Sequence, residues 1–440
     1  MKTQPAIFER AGAMPAPTWH FLSMNDTAIE IPGGLAIAPD VRVAEPWTAR
    51  AADDEFENAL ADAQAEWEQA HPAPTAAEVA ELAASLAAEA DATYGGTAQS
   101  AYQVEADAIE EARSLAVAFE HGMGDEVAAY LRYVAGERVV IEADPNQVFA
   151  AEVLVAAVPD AISVAAIDVI ADAGSTVRLS VVVDGSEEAE AGIAGTTVRV
   201  FADRDARVEI ERVQTLPEGF TDIDDMGLFA AADAQINVRQ TVLGASVAFA
   251  GLAGDLRGES SRIETDTRYL GAGEQQRDFN YSIRHHGPKS KCNLQANGVL
   301  SGNSSKTLRG TIDLVRGCKG AEGAENETVL LIDDQVRNKT VPVILCNEDD
   351  VAGNHGATIG HIRDEQLFYL ASRGLSQEAA EAMFASAIVE QAFIDASSEA
   401  ARTAVVHYWE RLGDVEEGPT LFHTCPFSAL PQDADGVRNA

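Results

Sequence analysis

His355 is the residue whose type and setting most invite chemistry. It closes the stretch Cys346 to Gly356, CNEDDVAGNHG, where Gly353 and Gly356 let the backbone turn sharply or approach another group closely. An imidazole held in such a turn could ligate iron or face a partner's cysteine, because neutral imidazole is a borderline ligand near neutral pH. It could equally do no more than hold the turn through a backbone carbonyl. Cys346, nine residues earlier, is a weaker metal candidate: it follows the apolar strand Pro342 to Leu345 at an inward position, where a buried thiol usually serves as a small hydrophobe. Cys292 and Cys318, 26 residues apart, read the same way. Arg284-His285-His286 makes a poor metal pair, since adjacent side chains on a strand face opposite ways. Four cysteines without a C-x-x-C exclude a disulfide framework and a self-contained zinc or ferredoxin-type centre. Asp222, Asp224 and Asp225 are a different kind of cluster, of the sort a lyase or hydrolase uses with or without Ca²⁺. Phosphate-binding loops, dinucleotide fingerprints, H-E-x-x-H and G-x-S-x-G are all missing.

The elements that must position these residues divide the chain by periodicity. Residues 1–138 read mainly as helical: Glu55 to Ala70, Ala76 to Asp91 and Val104 to Ala135 carry apolar residues at helical spacing, behind a looser first fifty. Residues 139–358 change to short alternating strands punctuated by Gly, Asp and Asn, as in Thr176 to Val181, Arg207 to Arg212 and Gln235 to Val238. Spacing alone allows a sandwich, a barrel or a solenoid. Residues 359–413 return to helix. There Asp364 is placed as a cap, Gly374 as the residue that stops the first helix, Ser376 as the cap of the second, and Met383, Phe384, Ile388 and Phe393 as core. Residues 414–440, with Cys425, read as a flexible tail.

A net charge of −40 makes nucleic acid and anionic membrane poor partners, because both require a cationic face. Only Arg284 to Lys319 breaks the acidity, with seven bases and one acid, Asp313, best read as strand residues paired with acidic neighbours. The first residues lack the apolar core of a secretion signal, which points to a cytoplasmic protein.

The run HGATIG followed by LFYLASRG, from His355 to Gly374, resembles the C-terminal signature of the SufB/SufD family of iron–sulfur cluster assembly proteins. The block Ser290 to Val315 is similar to that family's late rungs, and Pro17 to Asp26, with Trp19 and Phe21 as packing residues, resembles its N-terminal aromatic segment. The resemblance implies a mainly β fold, a right-handed parallel β-helix core flanked by N-terminal and C-terminal helical domains. It implies a scaffold subunit without its own catalysis, pairing with a SufB-like paralogue, or with itself when alone, and docking a SufC-like ATPase. The docking surface would comprise Asp364, Leu367, Phe368, Tyr369, Arg373 and Gly374. His355 would lie near the subunit interface, touching transient iron or a nascent cluster and holding no stable cofactor. Gly356 stands where SufB-type chains carry glutamate, and no cysteine lies near Asn326, thirty residues upstream, so the chain is SufD-like; Gly353 replaces a cysteine found in many SufD chains. The rival expectations are a β-helix enzyme acting on carbohydrate through Asp222, Asp224 and Asp225, and a purely structural acidic interaction protein.

Overall fold

The computed structural model of the chain describes residues 1–16, 23–38, 40–43, 55–70, 119–185 and 191–412. Two compact units are present, residues 52–120 and the remainder of the chain. In the smaller unit, α1 (Glu55–Ala70) forms over the residues its periodicity marks, and the Phe56 ring stands edge-on to Phe119 at 5.2 Å. Ala76 to Asp91, Trp19, Phe21 and Cys425 lie outside the described residues, as does Val104 to Ala135 up to residue 118.

The larger unit is a β-solenoid of about eight turns. Its strands are β3 (Ala36–Ile37), β4 (Val41–Val43), β5 (Arg138–Ala143), β6 (Val148–Ala157), β7 (Ala161–Ala171), β8 (Thr176–Gly185), β9 (Gly192–Ala202), β10 (Arg207–Gln214), β11 (Phe220–Ala230) and β12 (Gln235–Val242). The later rungs comprise β13 (Val247–Leu256), β14 (Arg262–Gly271), β15 (Gln276–His285), β16 (Lys291–Leu300), β17 (Ser305–Leu314), β18 (Glu322–Leu331), β19 (Arg337–Cys346) and β20 (Ala352–His361). From β6 onward each strand pairs in parallel with the strand two places on, so the even strands build one sheet and the odd strands the other.

The corners explain the recurrent Gly, Asp and Asn. Where an odd strand turns into the next even one, Gly174, Asp205, Asp233, Ser260, Lys289 and Gly320 all have positive φ. Each of these residues donates its N–H to a carbonyl in the corner of the following rung. The left-handed position is therefore repeated in register along one edge, which suits Gly and Asp best. Gly195 has another role: it lies inside β9, where a Cβ would come within 1.9 Å of the Ile223 carbonyl oxygen.

Between the sheets, alternate side chains stack in columns such as Val177, Val208, Ile236, Ile263 and Cys292. Within the first fifty residues, which the sequence sets apart as looser, the described residues form strands. β1 (Ala6–Ala11) and β2 (Thr27–Ile31) form an antiparallel hairpin, and β3 and β4 extend the two sheets, because Ile29, Ile31 and their neighbours bury apolar surface with α2 (Asp125–Ala135) against the odd sheet. At the other end are α3 (Asp364–Ser372), α4 (Gln377–Asp395) and α5 (Glu399–Arg411). Val389, Ala392, Ala401, Val405 and Tyr408 of α4 and α5 pack on Val182, Val213, Leu243, Leu270 and Val299 of the even sheet's outer face. Ser376 caps α4 as its sequence indicates, and Ser398 caps α5. Among the described residues no helix is long and apolar enough to cross a membrane.

Candidate functional site

His355 does not sit in a turn. It is the fourth residue of β20, and the glycines around it are strand residues with no left-handed φ. β20 and β19 are the last strands of their sheets, and β20 is exposed almost throughout because no further rung covers it. The register places His355 opposite Glu325, which lies in the inward column continuing through Leu294 and Thr265. His355 thus tops an interior column at the open end of the solenoid, with its neighbours below buried and itself in solvent.

The floor of that open end is polar. Glu325 and Glu327 are 5% and 3% exposed. Gly310 of β17 passes so close to the Glu325 carboxylate that a Cβ there would lie 2.3 Å from Oε1. The Lys306 ammonium pairs with the Glu327 carboxylate and donates to Thr340 Oγ1 at 3.1 Å, while Thr340 donates to Glu327 Oε2 at 2.6 Å and Tyr269 to Oε1 at 3.3 Å. With Lys306 committed to Glu327, the second carboxyl is left with burial and a like charge: desolvation, then Glu327, push Glu325 up to about 7, and Lys306 only partly opposes them. A buried carboxyl that exchanges its proton near neutrality lies one rung beneath an exposed imidazole. Such a set can pass a proton or offer oxygen and nitrogen donors to a ligand.

Cys346 has the inward phase its spacing indicates, since it pairs with buried Leu314, but it is exposed at the end of β19 because nothing stacks above it. Its Sγ contacts the Glu348 carbonyl at 3.3 Å. Among the described residues no group of three His, Cys, Asp or Glu is arranged to hold a metal ion. Cys292 and Cys318 are buried; Cys292 Sγ lies 3.1 Å from His285 Nε2, and burial moves the thiol up to about 12 and the imidazole down to about 4, so both are neutral. His286 instead meets Asp255 at 2.8 Å, on the opposite side from His285.

The carboxylate cluster offered for carbohydrate chemistry is not on an outer face. Asp222 and Asp224 are fully buried between the sheets on the guanidinium of Arg212, and Asp225 is buried by its hydrogen bonds to His121, to the Met123 N–H and to Thr197. No substrate reaches them, and the expectation of a carbohydrate lyase or hydrolase acting through these aspartates falls with them.

In α3, Phe368 and Tyr369 are 77% and 57% exposed, and Arg373 lies over the Tyr369 ring at 5.3 Å. Leu367 is half-buried. Gly374, with φ of 92°, follows the C-cap Arg373 as expected, but the N-cap is Arg363, one residue before Asp364, with Gln366 Oε1 accepting the Arg363 N–H at 3.2 Å. Met383, expected in the core, is 46% exposed beside this surface element.

The profile of the family described as "SUF system FeS cluster assembly, SufBD core domain" matches residues 154–388, more than half of the chain. The chain belongs to the SufB/SufD family. It is 32% identical over 127 residues to the iron–sulfur cluster assembly protein SufD of Bacillus subtilis, covering 29% of each chain. Over 135 residues it is 27% identical to SufB of the same organism, covering 31% of this chain and 29% of SufB. A SufBD family protein of Mycobacterium tuberculosis is 30% identical over 135 residues, which is 31% of this chain and 16% of the relative. The chain spans less than a third of the length of each of these relatives. The family match covers most of the solenoid, β20, α3 and the first part of α4, the segment that carries the open end.

Proposed function

We propose that this SufB/SufD family chain is a SufD-like, non-hydrolytic subunit of an iron–sulfur assembly scaffold. It pairs with a SufB-like paralogue through the edge of β20, docks a SufC-like ATPase through α3, and contributes His355 to a site shared across the interface, where iron or a nascent cluster is cargo. The observation that carries the reading is β20 itself. An exposed edge strand is normally guarded by lysine, proline or a bulge, and AGNHGATIGH has none of these. A long unguarded edge favours strand addition by another chain. Such an addition would also roof the polar floor and enclose His355 above Glu325.

One feature favours the SufD-like assignment and another the docking of an ATPase through α3. The residue one rung beneath His355 is Glu325, and the one beneath Gly356 is Asn326, so the column that supports the histidine holds no thiolate. The exposed Phe368 and Tyr369 supply an aromatic anchor of the kind that dominates protein interfaces. The test is reconstitution with SufB- and SufC-type subunits. A ternary complex should form by size-exclusion chromatography, and His355→Ala should keep the complex while lowering cluster assembly by about tenfold or more, the scale of loss at metal sites. Absence of association, or full assembly by the His355→Ala complex, overturns the reading.

A further inference from the structure

The outer face of the even sheet carries a groove of about 840 Å³ that takes no part in the open end. α4 and α5 cover the late positions of the even strands and leave the earlier outward positions bare from β6 to β16. Six strands at the usual spacing make a trough roughly 24 Å long. One wall is the junction between α4 and α5, fixed in place because Glu211 accepts the Ser397 N–H at 2.7 Å, Ser180 bonds Ser398 at 2.9 Å, and Arg239 donates to the Asp395 carbonyl at 2.9 Å.

The floor is charged in a repeating pattern. Glu152 lies on β6, Glu209 and Glu211 on β10, and Glu264 and Asp266 on β14, whereas the intervening β8 and β12 supply only Arg178 and Arg239. Arg262 and Arg268 on the same face of β14 pair with Glu264 and Asp266, so five carboxylates against four guanidiniums leave a formal charge of −1, and Glu152 is the carboxylate of the five outside these pairs. Residues 178, 209, 237 and 264 are in direct register, so the carboxylate rows recur on every second strand, roughly 9.6 Å apart. Three residues of an extended polyproline-type segment advance about 9.3 Å and return to the same face. The pairs Arg178–Glu209 and Arg262–Glu264 are exposed, and such pairs hold their partners weakly enough for an incoming cation to compete.

We propose that this groove receives an extended segment of a partner protein bearing lysine or arginine at about every third position. The two longest stretches of this chain outside the described residues, 71–118 and 413–440, carry eight acids against one base and five against one, so the groove repels them. A smaller cleft sharing Glu264 and Asn293 continues the trough to Ala352 and Asn354 of β20, which brings a bound segment out beside the open edge.

The test uses the full chain and fluorescein-labelled peptides of about twelve residues in about 0.15 M salt. One peptide has lysine at every third position with alanine and proline between; the other has the same composition with its lysines contiguous. Fluorescence anisotropy should show tighter binding of the spaced peptide. Glu209→Gln/Glu264→Gln should weaken that binding about fivefold. Glu9→Gln/Glu30→Gln, an equal charge change on the exposed β1–β2 hairpin, should leave it unchanged. Equal weakening by both double variants would reduce the effect to bulk charge and overturn the proposal, as would equal binding of the two peptides or no binding.

Discussion

Arg212 shows how much of this molecule is decided inside the solenoid by single residues. It is 1% exposed and bonds both oxygens of Asp222 while lying 3.1 Å from Asp224, so two carboxylates share one guanidinium. Burial, with Asp222 and Asp225 adding and Arg212 opposing, raises Asp224 from 3.8 to about 6. Between those values the native protein keeps a proton that the unfolded chain has released. This group's contribution to stability therefore falls as pH rises through that window and is at its least favourable above it. Asp224→Asn, neutral throughout, should gain on the wild type by up to about 3 kcal/mol between pH below 4 and pH 7; unfolding midpoints that run parallel across that range would refute the account. Lys306 makes the complementary case. Lys306→Met leaves Glu327 buried and unpaired, so stability should drop by about 3–5 kcal/mol in denaturant titration, with Glu327→Gln in the same chain restoring much of it. These residues were hidden in the sequence because Asp, Arg and Lys in alternating strands read as solvent-facing. Their partners lie 10 to 34 residues away, beyond any local window.

At the level of elements, the strands and their corners were legible because both signals are local. Alternation marked β8, β10 and β12, and the Gly and Asp punctuation marked corners such as Gly174 and Asp233, whereas Ser260 and Lys289 hold the same left-handed position without that signal. The arrangement of those strands was not local, and only the family resemblance selected a solenoid. A usable signal was nevertheless present: Arg178 with Glu209, Lys289 with Glu259, Thr196 with Asp224 and Lys291 with Glu322 are charge or hydroxyl partners 28 to 31 residues apart, the length of one rung. The basic run from Arg284 to Lys319 dissolves into the same pattern. Arg284, Lys289, Lys291 and Lys319 pair with Asp313, Glu259, Glu322 and Asp350 on adjacent rungs, while Lys306 and Arg309 are buried on Glu327 and Asp278. His355 was misplaced for the converse reason: three glycines near a histidine look like a turn, yet an edge strand without a neighbour also tolerates small residues. Rung contact therefore separates two glycines that sequence treats alike. Gly195→Ala meets the Ile223 backbone at 1.9 Å and should cost several kcal/mol or prevent folding, because backbone cannot shift without opening the rung, whereas Gly360→Ala on β20 meets nothing within 4 Å and should stay within about 0.5 kcal/mol of wild type. Equal thermal midpoints for the two variants would show that the rungs pack more loosely than described.

On the proposed function, the whole molecule would meet its partners through surfaces of different physical kinds. β20 offers unpaired backbone, α3 exposed aromatic side chains and the groove carboxylates, so each would recognise a partner by a different interaction. Docking at one should then be separable from docking at another. Phe368→Asp is the sharpest probe, because a side chain 77% exposed contributes little to the fold, yet an aspartate there would place an unpaired charge in the proposed interface. The variant should keep the wild-type unfolding midpoint to within the usual range for surface changes and still co-elute with a SufB-like subunit. Its affinity for the SufC-like ATPase should fall by at least tenfold, about 1.4 kcal/mol, as read by calorimetry. Loss of both partners together would mean that α3 and β20 form one continuous interface. Undiminished ATPase binding would move the docking surface away from α3 altogether.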